Sequence, residues 1–350
     1  MGKSGGVTCI NINNSRQGFM RIPSQRLSHT VTCGALICLA LTSGCAINMK
    51  VPVRNPESST SQYVKPGAAA PVTLYFSDDR PQENKGALLT GRIPMQLTTP
   101  DGDKPFQAVP WLAEQTVREM VARGLPVQLD SDSKGPDTVV IKRIHIENRR
   151  VSGFSPFETF TSASADVVTP AGTTRIATFI KRGKVPVWSF NEVIDPAYSD
   201  PLGLTAKEFA AKLARILFDA RLSDSQVDAL IAKTSGSNIN YRDVYELGFS
   251  NNPRAIPQLL SLTANKDDEI HQAAFSSLGI LRDTQHFDVM VTAAQDSNSD
   301  WEDRAAALKA IADLGTPESV DYLQRERTRL QPQTDAESMR SKELIGLYLN

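Results

Sequence analysis

The chain has 350 residues, with 38 Lys and Arg against 39 Asp and Glu, 40% apolar, 22% charged and 7% aromatic side chains. Those fractions exclude a disordered tail, a coiled coil and a polytopic membrane protein, and a net charge of −1 gives no basic field for nucleic acid. The length suits two modest domains.

Charge and cysteine are unevenly placed. Cys9, Cys33, Cys38 and Cys45 are the only cysteines, and all lie in the first 45 residues, together with Lys3, Arg16, Arg21 and Arg26 and no acid. Without residues 1–44 the balance is 34 basic to 39 acidic side chains, a net −5. Arg21 and Arg26 precede the apolar run Gly34–Leu41, which ends in small residues before Cys45. This is the three-part plan of a secretory signal, and the run is shorter than the roughly 20 residues of a membrane span. Met20 begins a leader of standard length, so residues 1–19 read as an upstream extension of the gene start. Met1-Gly-Lys-Ser-Gly-Gly6 lacks the upstream glycine of a phosphate-binding loop and the hydroxyl that N-myristoylation needs at the sixth place.

Leu41-Thr-Ser-Gly-Cys45 resembles the lipobox of bacterial lipoproteins. Ser43 and Gly44 suit the signal peptidase, while Thr42 departs from the family's leucine. The resemblance implies a signal peptide over 1–44, diacylglycerol and palmitate on Cys45, and attachment to the membrane through that lipid. Ala46, where aspartate would favour retention on the inner membrane, implies transfer to the outer membrane, on its periplasmic face. Once Cys45 is acylated the exported chain holds no free thiol and no disulfide. Residues 45–70 are rich in Pro and Ser, lack a sustained period, and predict a flexible tether of about 28 Å root-mean-square reach.

From 71 to 234 the pattern is mixed. Val72–Phe76 predicts a strand ending at the turn Asp78-Asp79-Arg80-Pro81, and Pro110–Arg123 a helix stopped by Gly124. Thr138–Glu147, Phe157–Val168, Thr173–Arg182 and Val185–Ile194 predict antiparallel hairpin strands. In the first of these the apolar phase shifts between Val139/Ile141 and Ile144/Ile146, which predicts a bulge near Lys142. Thr205…Glu208 and Ser223…Gln226 read as capping boxes, stapled by Leu204/Phe209 and Leu222/Val227. The order predicts an α+β domain, an antiparallel sheet with packed helices. Asp79-Arg80-Pro81, the helix from Leu112 to Ala122-Arg123-Gly124, and the late helix with Phe209 and Leu213 resemble the YajG family of small outer-membrane lipoproteins, which carries no catalytic signature.

Residues 239–350 are helical and self-similar: at an offset of 33, Ala273, Ala274 and Leu278 overlay Ala306, Ala307 and Ile311. Shorter amphipathic stretches, Ala255–Leu262 and Phe287–Ala294, precede them, and Leu247-Gly248 and Leu314-Gly315 occupy similar places before Asn252-Pro253 and Thr316-Pro317. These residues resemble HEAT-like repeats, with Met339–Leu349 as a final cap. The alanines are expected inside the stack. The boundary falls near Ser235–Asn238, with 71–234 expected to fold alone and 239–350 expected to be less stable.

Chemistry is thin. His145, His271 and His286 have no partner at metal-ligand spacing, and no nucleophile elbow, H-E-x-x-H or cysteine nucleophile occurs after residue 45. Asp78-Asp79-Arg80 reads as a turn with a solvated ion pair before it reads as an acid–base pair, and Arg325-Glu-Arg-Thr-Arg329 as an exposed helix face. Trp111, Trp188 and Trp301 read as core or interface anchors. The expectation is a lipid-anchored, non-enzymatic envelope protein, with no cofactor or metal, whose helical repeats bind another protein. The alternatives are a hydrolase of cell-wall or glycan material with its site in the α+β domain, and a spacer that binds nothing.

Overall fold

A computed structural model describes residues 49–64, 70–85, 88–91, 93, 95–130, 137–150, 155–185, 189 and 191–349. The leader and Cys45 lie outside them, as does Trp188. From Asn48 onward the chain is one compact unit, with a contiguous apolar core running from Val51 to Ile345.

The sheet grows from three strands of 13 residues each, β6 (Asp137–Arg149), β7 (Phe157–Thr169) and β8 (Gly172–Lys184), paired antiparallel as the hairpin signals predict. The bulge is where the apolar phase shifts: pairing jumps from Ile141 to Arg143, which leaves Val139, Ile141, Ile144 and Ile146 all buried. The sheet is nevertheless mixed. β2 (Val72–Asp78) joins β6 in parallel, β5 (Val127–Asp130) joins β2 in parallel, and short β3 (Leu89–Gly91) pairs the far half of β6. Parallel pairing follows from the crossover, because α2 (Ala108–Ala122) lies between β2 and β5 and covers the sheet. A one-turn helix, α1 (Gln82–Lys85), follows β2.

Two sequence expectations give way. Residues 45–70 were expected as a tether, yet β1 (Met49–Pro52) pairs in register with β4 (Met95–Thr98), and residues 53–64 form a strap over the body. Val53 N–H donates to Thr98 O, Tyr63 N–H to Arg123 O, Val64 N–H to Arg221 O, and Trp111 Nε1 to Asn55 Oδ1. Isolated Val51, Val53 and Tyr63 each fill a buried slot, a pattern too sparse for any periodicity to show. Val185–Ile194 is not a fourth hairpin strand: Asn191–Ile194 is helical (α3) and runs through a π-helical turn, Asp195–Ser199, into α4 (Asp200–Phe218). Pro196 and Pro201 sit where a helix start tolerates them.

Helix α4 begins five residues before Thr205, so Thr205 is interior and its hydroxyl donates back to Pro201 O, 2.8 Å away, instead of capping. The second capping box holds: Ser223 caps α5 (Asp224–Lys233) with Gln226 in return. Then α6 (Tyr241–Phe249), α7 (Ile256–Leu262), α8 (Asp268–Ile280), α9 (Phe287–Gln295), α10 (Trp301–Leu314), α11 (Pro317–Leu330) and α12 (Ala336–Tyr348) follow. Inner helices α6, α8, α10 and α12 stack in sequence, while α7, α9 and α11 pack outside them. Ala273, Ala274, Ala306 and Ala307 are buried, as the repeat register requires.

Central strand β7 is buried on both faces. Its Phe157, Thr159, Ala163 and Ala165 side meets α4 and the π-helical turn, with Phe157 and Tyr198 rings 5.8 Å apart. Its Phe160 side meets the repeats, where Trp301 stands edge-on to Phe160 and Phe179 at 5.5 and 6.1 Å. The boundary near Ser235–Asn238 therefore separates kinds of element within a shared core.

Candidate functional site

The acid–base candidate resolves residue by residue. Arg80 is buried and grips Asp78 with two bonds of 2.8 Å, while Asp79 pairs with Lys142 Nζ at 2.5 Å. The Arg80 hydrogen bonds hold the Asp78 carboxyl below the usual range, and the Lys142 bond does the same for Asp79. Each carboxylate has its own cation, so the turn holds two ion pairs and neither group keeps a proton to donate near neutrality.

The histidines also have separate tasks. His145 on β6 bonds Thr90 Oγ1 at 2.8 Å through Nε2 and faces Arg143 through Nδ1, and burial followed by Arg143 lowers its pKa to about 4. His271 on α8 donates to Asp303 on α10 at 2.7 Å, and this bond raises the imidazole pKa. His286 pairs with Asp283 beside the turn before α9. Among the described residues no three His, Cys, Asp or Glu side chains gather as a metal site, and no helix is long and apolar enough to cross a membrane.

Sequence reasoning missed two buried ionic clusters. In the first, Lys309 Nζ lies 2.8 Å from Glu208 and 2.7 Å from Asp313, while Lys212 Nζ lies 2.7 Å from Glu208 and 2.5 Å from Asp313. All four are buried. Burial alone would depress Lys309, but Asp313 and Glu208 hold it above the ordinary lysine range. Lys212 also donates to Ala177 O, so the cluster ties α4 and α10 to β8. The signal in the sequence was a pair of i, i+4 opposite charges, Glu208/Lys212 and Lys309/Asp313, on otherwise alanine- and leucine-rich helices.

In the second cluster, Arg123 at the end of α2 bonds Glu119 at 2.8 Å and Glu246 of α6 at 2.6 Å, and Lys207 of α4 bonds Glu246 at 3.0 Å. Burial would raise the Glu246 carboxyl; Arg123 and Lys207 win and bring it to about 2. Ser59 of the strap donates its N–H to Glu119, and Tyr63 places its ring 5.0 Å from the Arg123 guanidinium. Both clusters tie elements on either side of the 234/239 boundary into a fixed geometry.

What stays uncovered is the outer layer of repeats. Helix α10 is buried from Ala305 to Leu314, and its ring and charges face the sheet and α4. Helix α9, in contrast, reads FDVMVTAAQ and buries only Met290; Val289 is 41% exposed. Its Phe287, Val291, Ala293 and Ala294 are half-buried against the core, and its open side carries Asp288, Val289, Thr292 and Gln295, a mixed face suited to contact more than to a reaction.

Residues 256–329, from α7 to α11, match the model of HEAT repeats. A solved structure described as "Crystal structure of uncharacterized protein" aligns with 45% of this chain and 97% of its own at 12% identity, with a TM-score of 0.26, and this likeness carries no argument. No curated protein sequence is similar to the chain. The segment that leaves its outer helices open is thus similar to HEAT repeats, modules that generally serve protein interaction.

Proposed function

We propose that the protein is a lipid-anchored, non-enzymatic adaptor of the bacterial cell envelope, held to the outer membrane through Cys45 and binding another protein on its repeats. The carrying observation is the HEAT-repeat segment whose inner layer is occupied by the chain's own sheet while its outer helices stay open. The likeness of 71–234 to YajG lipoproteins and the Gly44-Cys45 junction support the envelope location. Only residues 46–48 separate Cys45 from strand β1, a span of at most about 14 Å, so on this reading the folded body rides close against the bilayer.

Two measurements test the reading separately. Cys45→Ser should abolish incorporation of radiolabelled palmitate and release the protein from the membrane fraction; equal labelling of both forms refutes the anchor. A photo-crosslinking amino acid at Val289 should trap one stoichiometric partner in intact cells, and a crosslinker at exposed Val168 on the sheet should not. Trapping nothing at Val289 refutes the scaffold.

A further inference from the structure

The groove between outer helices α9 and α11 has the shape and charge to name the partner's chemistry, an inference that rests on the scaffold reading above. Its volume is about 480 Å³. The floor is apolar: Phe287 and Val291 from α9 and Tyr322 from α11, with the Phe287 and Tyr322 rings edge-on at 6.2 Å. Its walls differ in sign. Arg325, Glu326 and Arg329 stand on the α11 wall, a net single positive charge, with the two arginines one helical turn apart and on the same face as Tyr322. Asp288 stands exposed on the α9 wall. Glu326 already holds Arg329 through Nε at 2.8 Å, whereas Arg325 is exposed and makes no ion pair among the described residues.

We propose that this groove receives an amphipathic helix of a partner protein, apolar stripe inward, with carboxylates on the flank facing α11 and a cation on the flank facing α9. An acid opposite Arg325 gives that arginine the partner it lacks, while Arg329 stays neutralised by Glu326. A basic flank turned toward α11 meets Arg325 and is repelled, so the charges set the orientation of the helix as well as its identity. Pairing at the rim adds specificity and association rate, and the apolar floor supplies the contact area.

Panning a phage-displayed library of random peptides on the full chain is the test, followed by fluorescence anisotropy of the enriched peptides. Enrichment of helix-forming sequences with an apolar stripe and one acidic flank is the expected result. Their binding should be lost on Val291→Lys, which fills the floor, and fall roughly tenfold on Arg325→Glu. Arg327→Glu, exposed on the same helix but outside the groove, should leave it unchanged. Circular dichroism melts of Arg325→Glu and Arg327→Glu should match wild type, since both positions are exposed. Val291→Lys, at a half-buried position packed against the core, is read at a temperature where its own melt shows it folded. Enrichment without acidic residues, or equal losses for Arg325→Glu and Arg327→Glu, overturns the proposal. A partner crosslinked at Val289 in cells and retained by Val291→Lys overturns the groove while leaving the scaffold reading standing.

Discussion

Lys309 is fully buried with a formal charge, and it survives there only because Glu208 and Asp313 each lie within 2.8 Å. Taking ions out of water costs several kcal/mol each, and removing one partner of a buried pair strands the others. Lys309→Met should therefore destabilise the protein by about 3–5 kcal/mol in guanidinium unfolding. The double change Lys309→Met with Glu208→Leu removes one charge of each sign and should recover most of that loss. If it does not, the cluster is not a balanced set. The histidines give stability a maximum in pH. His145 has a folded pKa of about 4 against 6.5, so its contribution is full above pH 6.5 and is lost as pH falls from 6.5 to 4. His271 is raised by Asp303, so its contribution is full below 6.5 and is lost as pH rises through its folded pKa. Stability should peak near pH 6.5, and His145→Gln should flatten the acid side of that peak in melts taken across the range. Unchanged acid slope would show that His145 is not the group responsible.

Among elements, inner helices α8 and α10 approach closely. A Cβ on Gly279 would stand 2.5 Å from Ala310 Cα, and one on Gly248 of α6 would stand 2.7 Å from Ser277 Cβ on α8. Small residues let these helices stack backbone to backbone, which the alanine pairs in the sequence already foretold. Gly279→Ala should cost about 1–3 kcal/mol through overpacking, whereas Gly236→Ala, with open space around it, should be neutral by thermal melting. The same detail separates two glycines that look alike in sequence. Gly248 lies inside α6 and packs on its neighbour, while Gly315 ends α10 in the left-handed region at φ 63°. The Leu-Gly pairs at 247 and 314 thus share letters and not roles.

For the whole molecule, the question is whether sheet and repeats melt together. Phe160 and Phe179 lose Trp301 if the repeats detach, Arg123 loses Glu246, and Glu208 and Lys212 are left facing Asp313's former place. Each loss exposes apolar surface or strands a charge, so residues 71–234 alone should be molten in near-UV circular dichroism, contrary to what the domain boundary in the sequence implied. The intact chain should unfold in one transition, with tryptophan fluorescence and far-UV circular dichroism coincident. Two separated transitions would return the molecule to independent domains. Arg340 on α12 adds to the same seam, with Glu147 of β6 at 2.6 Å and the Phe160 ring 4.9 Å away.

Local signals in the sequence determined the long strands, the bulge at Lys142, the capped start of α5 and the alanine faces of the repeats, because each depends on neighbours within a few residues. The open outer helix was half legible: FDVMVTAAQ is visibly apolar, yet only packing shows which of its sides is left bare. Tertiary structure alone decided the strap, the parallel flank of the sheet and the meeting of the local i, i+4 charge pairs with partners on other helices. Glu208 and Thr205 show why. Their spacing satisfies a helix cap, but the helix starts earlier because the π-helical turn runs straight into it, and Glu208 is drawn to lysines on two helices, one of them 101 residues away. A charge reads as a surface residue until the fold places its counter-charge beside it, and that pairing lies between segments no local pattern connects.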